Sequence, residues 1–373
     1  MIKIQEISTK KELKQFVKFP FSLYKDNKFW VPPIISEEIA SFDKTENPVF
    51  EHADARLFLA FKEGRIVGRI AAIINHLEID IQKVPRMRFG WMDFIDDLEV
   101  SKALLDTIYE IGKKEKLEFI EGPLGFSNLD KVGVLTEGFD IVSTMITWYN
   151  YPYYFEHYKE YGLVPNQKFI ETKFLMKDVG IKKYRRYASI VRERYKLKAI
   201  NFRSTKEVLP YVEEMFALFN KAYADLSSFV PVSDKQIAYL KRKFISFINP
   251  EYIKFIVDEQ GKLVTFSITM PSFARALQKA NGKLFPTGFM HLLKAKKHSK
   301  SSVFFLIGIL PEYQKKGVTA IVFDEFFKTY QEKGVTEMII TPELEENKDI
   351  QLIWKNFKPI IYKRRCTMRK DIV

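Results

Sequence analysis

Two runs of the chain carry the same order of apolar and polar positions. In the first, Arg56–Lys62 and Ile66–Asn75 flank the turn Glu63-Gly64-Arg65, which predicts a strand hairpin. In the second, Tyr252–Asp258 and Leu263–Met270 flank Glu259-Gln260-Gly261-Lys262 and predict the same element. A third strand follows in each run, Arg88–Ile95 and Ser302–Leu310. A helix comes next. Leu98–Lys114 sets Leu104, Leu105, Ile108, Ile111 and Gly112 along one side, and Val318–Lys333 does so with Ile321, Val322, Phe326, Phe327 and Tyr330. Each helix passes to a strand closed by proline, Glu118–Pro123 and Glu337–Pro342. Strand, helix and strand joined by one crossover imply parallel pairing. The pattern therefore predicts a duplicated α/β unit, each copy a twisted mixed sheet flanked by helices.

The copies differ in what is inserted. The second carries an extra segment, 271–300, with Phe285-Pro286-Thr287-Gly288 and a basic end at Lys294–Lys300. The first extends instead through Leu124–Phe139. Between them Ile181–Lys196 reads as a basic amphipathic helix, with Ile181, Tyr184, Ala188, Val191 and Tyr195 on one side. A boundary near Asp178–Gly180 is expected, giving domains 1–178 and 179–373. A length of 373 residues suits two cores rather than one.

Charge adds a partner class. Sixty Lys and Arg against 47 Asp and Glu leave +13, which asks for an anionic partner: nucleic acid, a phosphorylated cofactor or a membrane surface. The basic clusters Lys182–Lys198, Lys294–Lys300 and Lys363–Lys370 come without a nucleic-acid motif, so no specific nucleic acid is expected. The most apolar stretches, Ile66–Asn75 and Ser302–Leu310, are too short to span a bilayer. One cysteine, Cys366, and five scattered histidines lead us to expect no disulfide and no metal site. Without a signal-like start, the expected location is the cytoplasm.

The sharpest local motif is Pro311-Glu312-Tyr313-Gln314-Lys315-Lys316-Gly317-Val318-Thr319, at the handover from strand to helix. Successive N–H groups and a helix N-terminus there can hold a pyrophosphate, while a solvated turn needing glycine for geometry is the plainer account. Together with the surrounding order of elements, Gln314-x-x-Gly317 resembles the pyrophosphate loop of the GNAT acyltransferase superfamily, Gln/Arg-x-x-Gly-x-Gly/Ala, with Thr319 in place of the last small residue. The resemblance implies acetyl-CoA or a longer acyl-CoA as cofactor. Its pyrophosphate would lie on Gln314, Lys315, Lys316, Gly317, Val318 and Thr319. Phe304, Leu306, Ile307, Gly308 and Ile309 would wall the pantetheine channel, with Asn347 beyond. The corresponding turn of the first copy, Asp93-Phe94-Ile95-Asp96-Asp97-Leu98-Glu99, has four carboxylates and no glycine, which repels phosphate; helix capping by Asp96 or Asp97 also accounts for it.

The superfamily often uses a tyrosine acid in a Tyr-x-x-x-Gly-Phe pattern. Tyr158-Lys159-Glu160-Tyr161-Gly162-Leu163 fits in the first copy, which makes Tyr158 the catalytic candidate; in the second, Trp354 stands there, and an indole is no such acid, the alternative being that both aromatics pack under the sheet. The whole chain is similar to a bacterial family of tandem GNAT-like proteins, most specifically in 121–130, 137–140, 149–154 and 282–286. Ser127, Asn128, Asp130, Tyr151, Tyr154 and Trp354 are candidates for a substrate pocket, a rigid connector and aromatic core being the alternatives. Glu343, Glu345 and Glu346 are candidate bases, or a solvated acidic loop. The expected activity is acyl-CoA-dependent transfer to the amine of a small molecule or peptide. A Fem-type aminoacyl-tRNA-dependent transferase and a silent module binding acyl-CoA or a partner remain alternatives.

Overall fold

The computed structural model describes residues 1–127, 129–224, 229–241 and 248–373. Its strands are β1 (Lys3–Glu6), β2 (Ala53–Lys62), β3 (Arg65–Asn75), β4 (Arg86–Phe94), β5 (Phe119–Gly122), β6 (Val134–Glu137) and β7 (Val164–Leu175) in the first run. The second run holds β8 (Lys198–Asn201), β9 (Ile253–Val257), β10 (Leu263–Pro271), β11 (Ser301–Ile309), β12 (Glu337–Ile340), β13 (Glu343–Leu344) and β14 (Ile360–Asp371). They form one continuous mixed sheet in the order β1-β2-β3-β4-β5-β14-β7-β12-β11-β10-β9-β8, with β6 beside β14 and β13 beside β7.

Read from either edge towards the middle, the two halves match: antiparallel neighbours to the third pairing, then a parallel pair, β4 with β5 and β11 with β12. The helices between the parallel strands, Leu98–Lys114 and Thr319–Lys333, occupy equivalent crossovers. Each buries the predicted stripe. Leu104, Leu105 and Ile108 are fully buried in one half, and Ile321, Phe326 and Phe327 in the other. Burying such side chains contributes about 1.5–3 kcal/mol apiece.

The middle of the sheet departs from a linear division at 178. β14, the last strand in sequence, pairs with β5 of the first half, and β7 pairs with β12 of the second. The two also pair with each other along most of their length. Each half is thus completed by the other's final strand. Arg365 on β14 and Glu171 on β7 form a buried ion pair at 2.6 Å across this seam.

Both halves carry a bulge on the strand that precedes the crossover helix. In β4 the register with β3 shifts between Arg69 and Ala71, where Trp91 takes a positive φ of 45°. In β11 the register skips Phe305 opposite Ile268 and Thr269. A bulge re-aims the strand beyond it. Past the bulge the parallel partners diverge: β5 pairs with β4 only through Arg88, and β12 with β11 only through Phe304.

Candidate active site

The two divergences between parallel strands have the same geometry and opposite contents. In the first half the gap is closed. Leu124 N donates to Phe89 O at 2.8 Å, so the chain leaving β5 stitches itself back onto β4. A Cβ on Gly90 would collide with the Leu124 carbonyl and press on the Trp148 ring. What remains is a cavity of about 20 Å³, lined in part by Trp91, Asp93, Trp148, Tyr154 and Tyr158, room for about one water.

The turn that follows β4 is likewise occupied. Asp93 pairs with buried Arg69 at 2.7 Å, and Asp96 with His157 at 3.0 Å. Asp97 accepts from Glu99 N as the helix N-cap and holds Lys62 at 2.6 Å, which depresses its pKa. All four carboxylates of the motif are folded into local contacts, the fourth, Glu99, lying 3.8 Å from Lys62. The helix N-terminus is neutralised by its own cap.

In the second half the gap is open to backbone pairing. Among the described residues no backbone hydrogen bond runs from 341–344 to β11, because that segment turns away and β13 pairs with β7. The turn is also free. Gln314, Lys315, Lys316 and Gly317 are exposed. Lys315 and Gly317 take positive φ of 63° and 75°, which reverses the chain into the helix. The amides of Lys315, Gly317, Val318 and Thr319 make no hydrogen bond among the described residues, and no side chain caps the helix. Its first turn has no acidic residue. Lys316 lies 4.8 Å from the Tyr313 ring and 5.4 Å from that of Tyr195, so aromatic faces hold its ammonium beside the turn. Unpaired amides, an unopposed helix dipole and a fixed cation fit a pyrophosphate.

Three side chains contact or belong to the strands that border the gap. Glu343 on β13 accepts from Trp354 Nε1 at 2.6 Å through Oε1, while Oε2 is buried without a partner. Burial pushes its carboxyl up to about 7, against the partial relief of the indole bond. From the other wall Tyr223, ending the helix Val212–Tyr223, donates to Ile307 O at 3.0 Å. Burial raises its hydroxyl to about 12, and the charge of Glu343 adds to the shift. Phe304 packs edge-on to Trp354, centroids 4.7 Å apart.

The structure divides the candidate residues into groups. Phe304, Leu306, Ile307, Gly308 and Ile309 line β11 beside the gap, and Gln314 to Thr319 form the turn above it. A Cβ on Gly308 would strike Phe266 and Leu218, so glycine lets the helix Val212–Tyr223 approach β11 and deliver Tyr223. Asn347 is used locally: its side chain accepts from Ile350 N and caps the helix Lys348–Trp354. Trp354 is 1% exposed, and its indole donates to Glu343.

Tyr158 is not brought to the turn. It is fully buried in the first half's core against Phe89, its hydroxyl has no hydrogen-bond partner, and burial pushes its pKa well up. A tyrosine so enclosed has no path to a substrate at the second-half gap. Tyr154 is buried beside it, sharing hydrogen bonds with Tyr24 and Asp93, and Tyr151 bonds weakly to Leu23 O at 3.4 Å. Ser127 donates through N and Oγ to Asp130, which rigidifies their loop. Asn128 lies outside the described residues. Leu129 of this loop packs on the second-half cluster that Leu306 and Tyr223 also touch, so the first half's loop contacts the second half's core. Sequence reasoning missed Tyr223, whose partner lies 84 positions away.

No family model matches the chain. Two curated bacterial proteins are similar to it along most of their length. One is Protein YghO of Escherichia coli K12, 26% identical over 322 residues, covering 86% of this chain and 81% of that protein. The other is the Bacterial ceramide synthase of Caulobacter vibrioides, 26% identical over 314 residues, covering 83% and 80%. Among solved structures, a tandem GNAT protein from the clavulanic acid biosynthesis pathway superposes with a TM-score of 0.59 at 10% identity, over 100% of this chain and 99% of that one. A GCN5-related N-acetyltransferase from Sphaerobacter thermophilus gives 0.52 at 8% identity, over 100% and 96%. The doubled strand order, the paired bulges and these superpositions lead to one conclusion: the chain has a tandem GNAT fold, as its Gln-x-x-Gly turn and repeated elements led us to expect.

Proposed function

We propose that the chain is an acyl-CoA-dependent N-acyltransferase whose chemistry takes place in its second half. The observation that carries this is the contrast between the gaps: one stitched by backbone pairing and capped, the other without such pairing and followed by a turn of unpaired amides. An acyl-CoA bound there supplies an activated thioester. The amides of Lys315, Gly317, Val318 and Thr319 and the ammonium of Lys316 hold the pyrophosphate, and β11 lines the channel below. Glu343, with Oε2 buried and unpaired and its carboxyl pushed up to about 7, is the base this reading assigns to take a proton from an acceptor amine near neutral pH. Tyr223, whose hydroxyl donates to Ile307 O, lies near enough for the charge of Glu343 to act on it. Proximity and orientation supply the remainder. The name of the Caulobacter relative, a ceramide synthase, supports a long-chain amine as acceptor class and a fatty acyl-CoA as donor.

Isothermal titration with CoA tests the assignment. Gly317→Glu puts a carboxylate and a strained side chain at the phosphates and should abolish binding, while Asp96→Ala with Asp97→Ala should leave affinity unchanged. Equal loss in both variants, or none in Gly317→Glu, would place the cofactor elsewhere. Incubation with acetyl-CoA, a long-chain acyl-CoA and a long-chain amine then reads the transfer itself.

A further inference from the structure

The insertion between β10 and β11 is much longer than the matching connection of the first half, which holds only the short helix His76–Asp80, and the proposed acyl transfer makes no use of its outer face. It folds as two helices, Ala274–Ala280 and Gly288–His298. Their inner side is ordinary core: Leu277 and Leu292 are buried, and Leu284 and Ala295 pack on a cluster containing Met270, Phe273 and Val303. The outer side is not. Phe285, Phe289, Met290 and Leu293 are 77%, 39%, 58% and 53% exposed. Phe285 and Phe289 lie with ring centroids 5.7 Å apart, so the apolar residues form a patch rather than scattered points. On the longer helix, Phe289, Leu293 and Lys297 follow one another at four-residue spacing and share a face, with Lys294 beside them.

Charge selects what can cover this patch. Residues 271–300 contain seven lysines and arginines and no aspartate or glutamate. Lys283, Lys294 and Lys297 are exposed around the apolar tip. A second copy of the same surface would bring like charges together, which opposes self-association. A nucleic acid would satisfy the lysines but leave Met290 and Leu293, which cannot stack on bases, facing phosphate and water. A basic helix with large apolar side chains outward suits the interface of an anionic bilayer, where acyl chains take the apolar residues and phosphates take the lysines. No helix among the described residues is long and apolar enough to cross a membrane, so this surface lies on the bilayer rather than through it.

We propose that the insertion is an interfacial anchor that seats the protein on an anionic lipid surface through Phe285, Phe289, Met290, Leu293 and the lysines around them. Leu284 and Ala295, directly beneath the anchor, pack on the same cluster as Phe305, the bulge residue of β11. The anchor therefore rests on side chains that also pack against β11. The anchor stands independently of the acyl-transfer reading, since neither its residues nor its geometry involve the turn or Glu343.

Co-sedimentation of the full chain with vesicles is the test, using phosphatidylcholine alone and phosphatidylcholine with roughly a third phosphatidylglycerol. Binding to the anionic vesicles that weakens with salt is expected, with little binding to the neutral ones. Two variants separate the contributions. Phe285→Ser with Met290→Ser and Leu293→Ser removes the apolar tip, and Lys294→Glu with Lys297→Glu reverses the rim. Each should weaken partitioning by roughly tenfold or more, and both should keep the wild-type circular dichroism and CoA titration. The proposal fails if wild-type protein stays in the supernatant with anionic vesicles, or if both variants sediment like wild type. It also fails if the patch instead drives self-association seen by light scattering, or if tRNA binds the patch and vesicles do not compete.

Discussion

At the scale of single residues, the group with the clearest chemical tension is Glu343. Its Oε1 is satisfied by the Trp354 indole and its Oε2 by nothing, so the ionised form is under-solvated and the carboxyl is pushed to about 7. As a base it must be ionised, so transfer should rise with pH through an acid limb near 7. Glu343→Gln keeps an acceptor for the indole and should lower kcat by about 10²–10⁴-fold, the usual range for a general base, abolish that limb, and leave CoA affinity unchanged. An unaltered pH profile would remove Glu343 from the mechanism. The same shift acts on stability. A folded-state pKa raised above the unfolded 4.5 favours the native state at low pH, and that advantage is lost as pH rises from 4.5 through about 7. Each tenfold change in acidity is worth about 1.4 kcal/mol, and partial solvent access trims the total to on the order of 2 kcal/mol. Glu343→Gln should flatten the decline, as read by urea unfolding at a series of pH values.

At the scale of elements, the two strand–turn–helix units show how one backbone plan is turned to different ends. In the first, Asp97 closes the helix and is held by Lys62. Asp97→Ala should therefore cost about 0.5–2 kcal/mol, the usual worth of an N-cap, seen as a lower Tm with CoA binding untouched. Because this carboxyl's pKa is depressed, its contribution is present above the unfolded pKa of 3.8 and is lost as pH falls through the lower folded value. The Tm difference between wild type and variant should then shrink in strong acid. These elements were legible in the sequence because their signals are local. The helix Leu98–Lys114 has the residues its apolar stripe predicts, and the hairpin turn at Glu63-Gly64 has the positive φ its glycine suggests. The carboxylates of the first turn were legible as a contrast with Gln314–Gly317, and so was the presence of Glu343 just beyond the strand that follows the second crossover helix, β12. Tyr223 was not, since nothing in a helical apolar pattern says that its last residue will cap a carbonyl on a strand 84 positions on. Tyr158 shows the limit of a local pattern: its sequence fits the superfamily, while Phe89 and Phe94, distant in sequence, enclose it together with Tyr154.

At the scale of the whole molecule, the exchange of β7 and β14 decides how the two halves depend on each other. Periodicity marks both segments as strands, but pairing across nearly two hundred residues leaves no local trace, so the linear division at 178 is natural from sequence while the sheet crosses it. The seam is held by more than backbone. Arg365 donates to Glu171 at 2.6 Å and also to the carbonyls of Val132, Gly133 and Trp148, so a β14 guanidinium ties β7 to the first half's long loop. Glu171 in turn accepts from Tyr362 at 3.1 Å. Glu171→Ala would leave a fully buried cation without its counter-charge, which costs about 3–5 kcal/mol. Glu171→Leu with Arg365→Met removes both charges and should recover much of that loss, though not all, because three carbonyls then lose their donor. Since the seam belongs to both halves, Glu171→Ala should destabilise them together. Hydrogen exchange resolved by peptide reads this directly: amides in β3, deep in the first half, and in β10, deep in the second, should show closely similar opening free energies in wild type and fall by the same amount in the variant. If β10 kept its protection while β3 lost it, or the reverse, the exchanged strands would not couple the halves, and the chain would behave as two domains joined end to end.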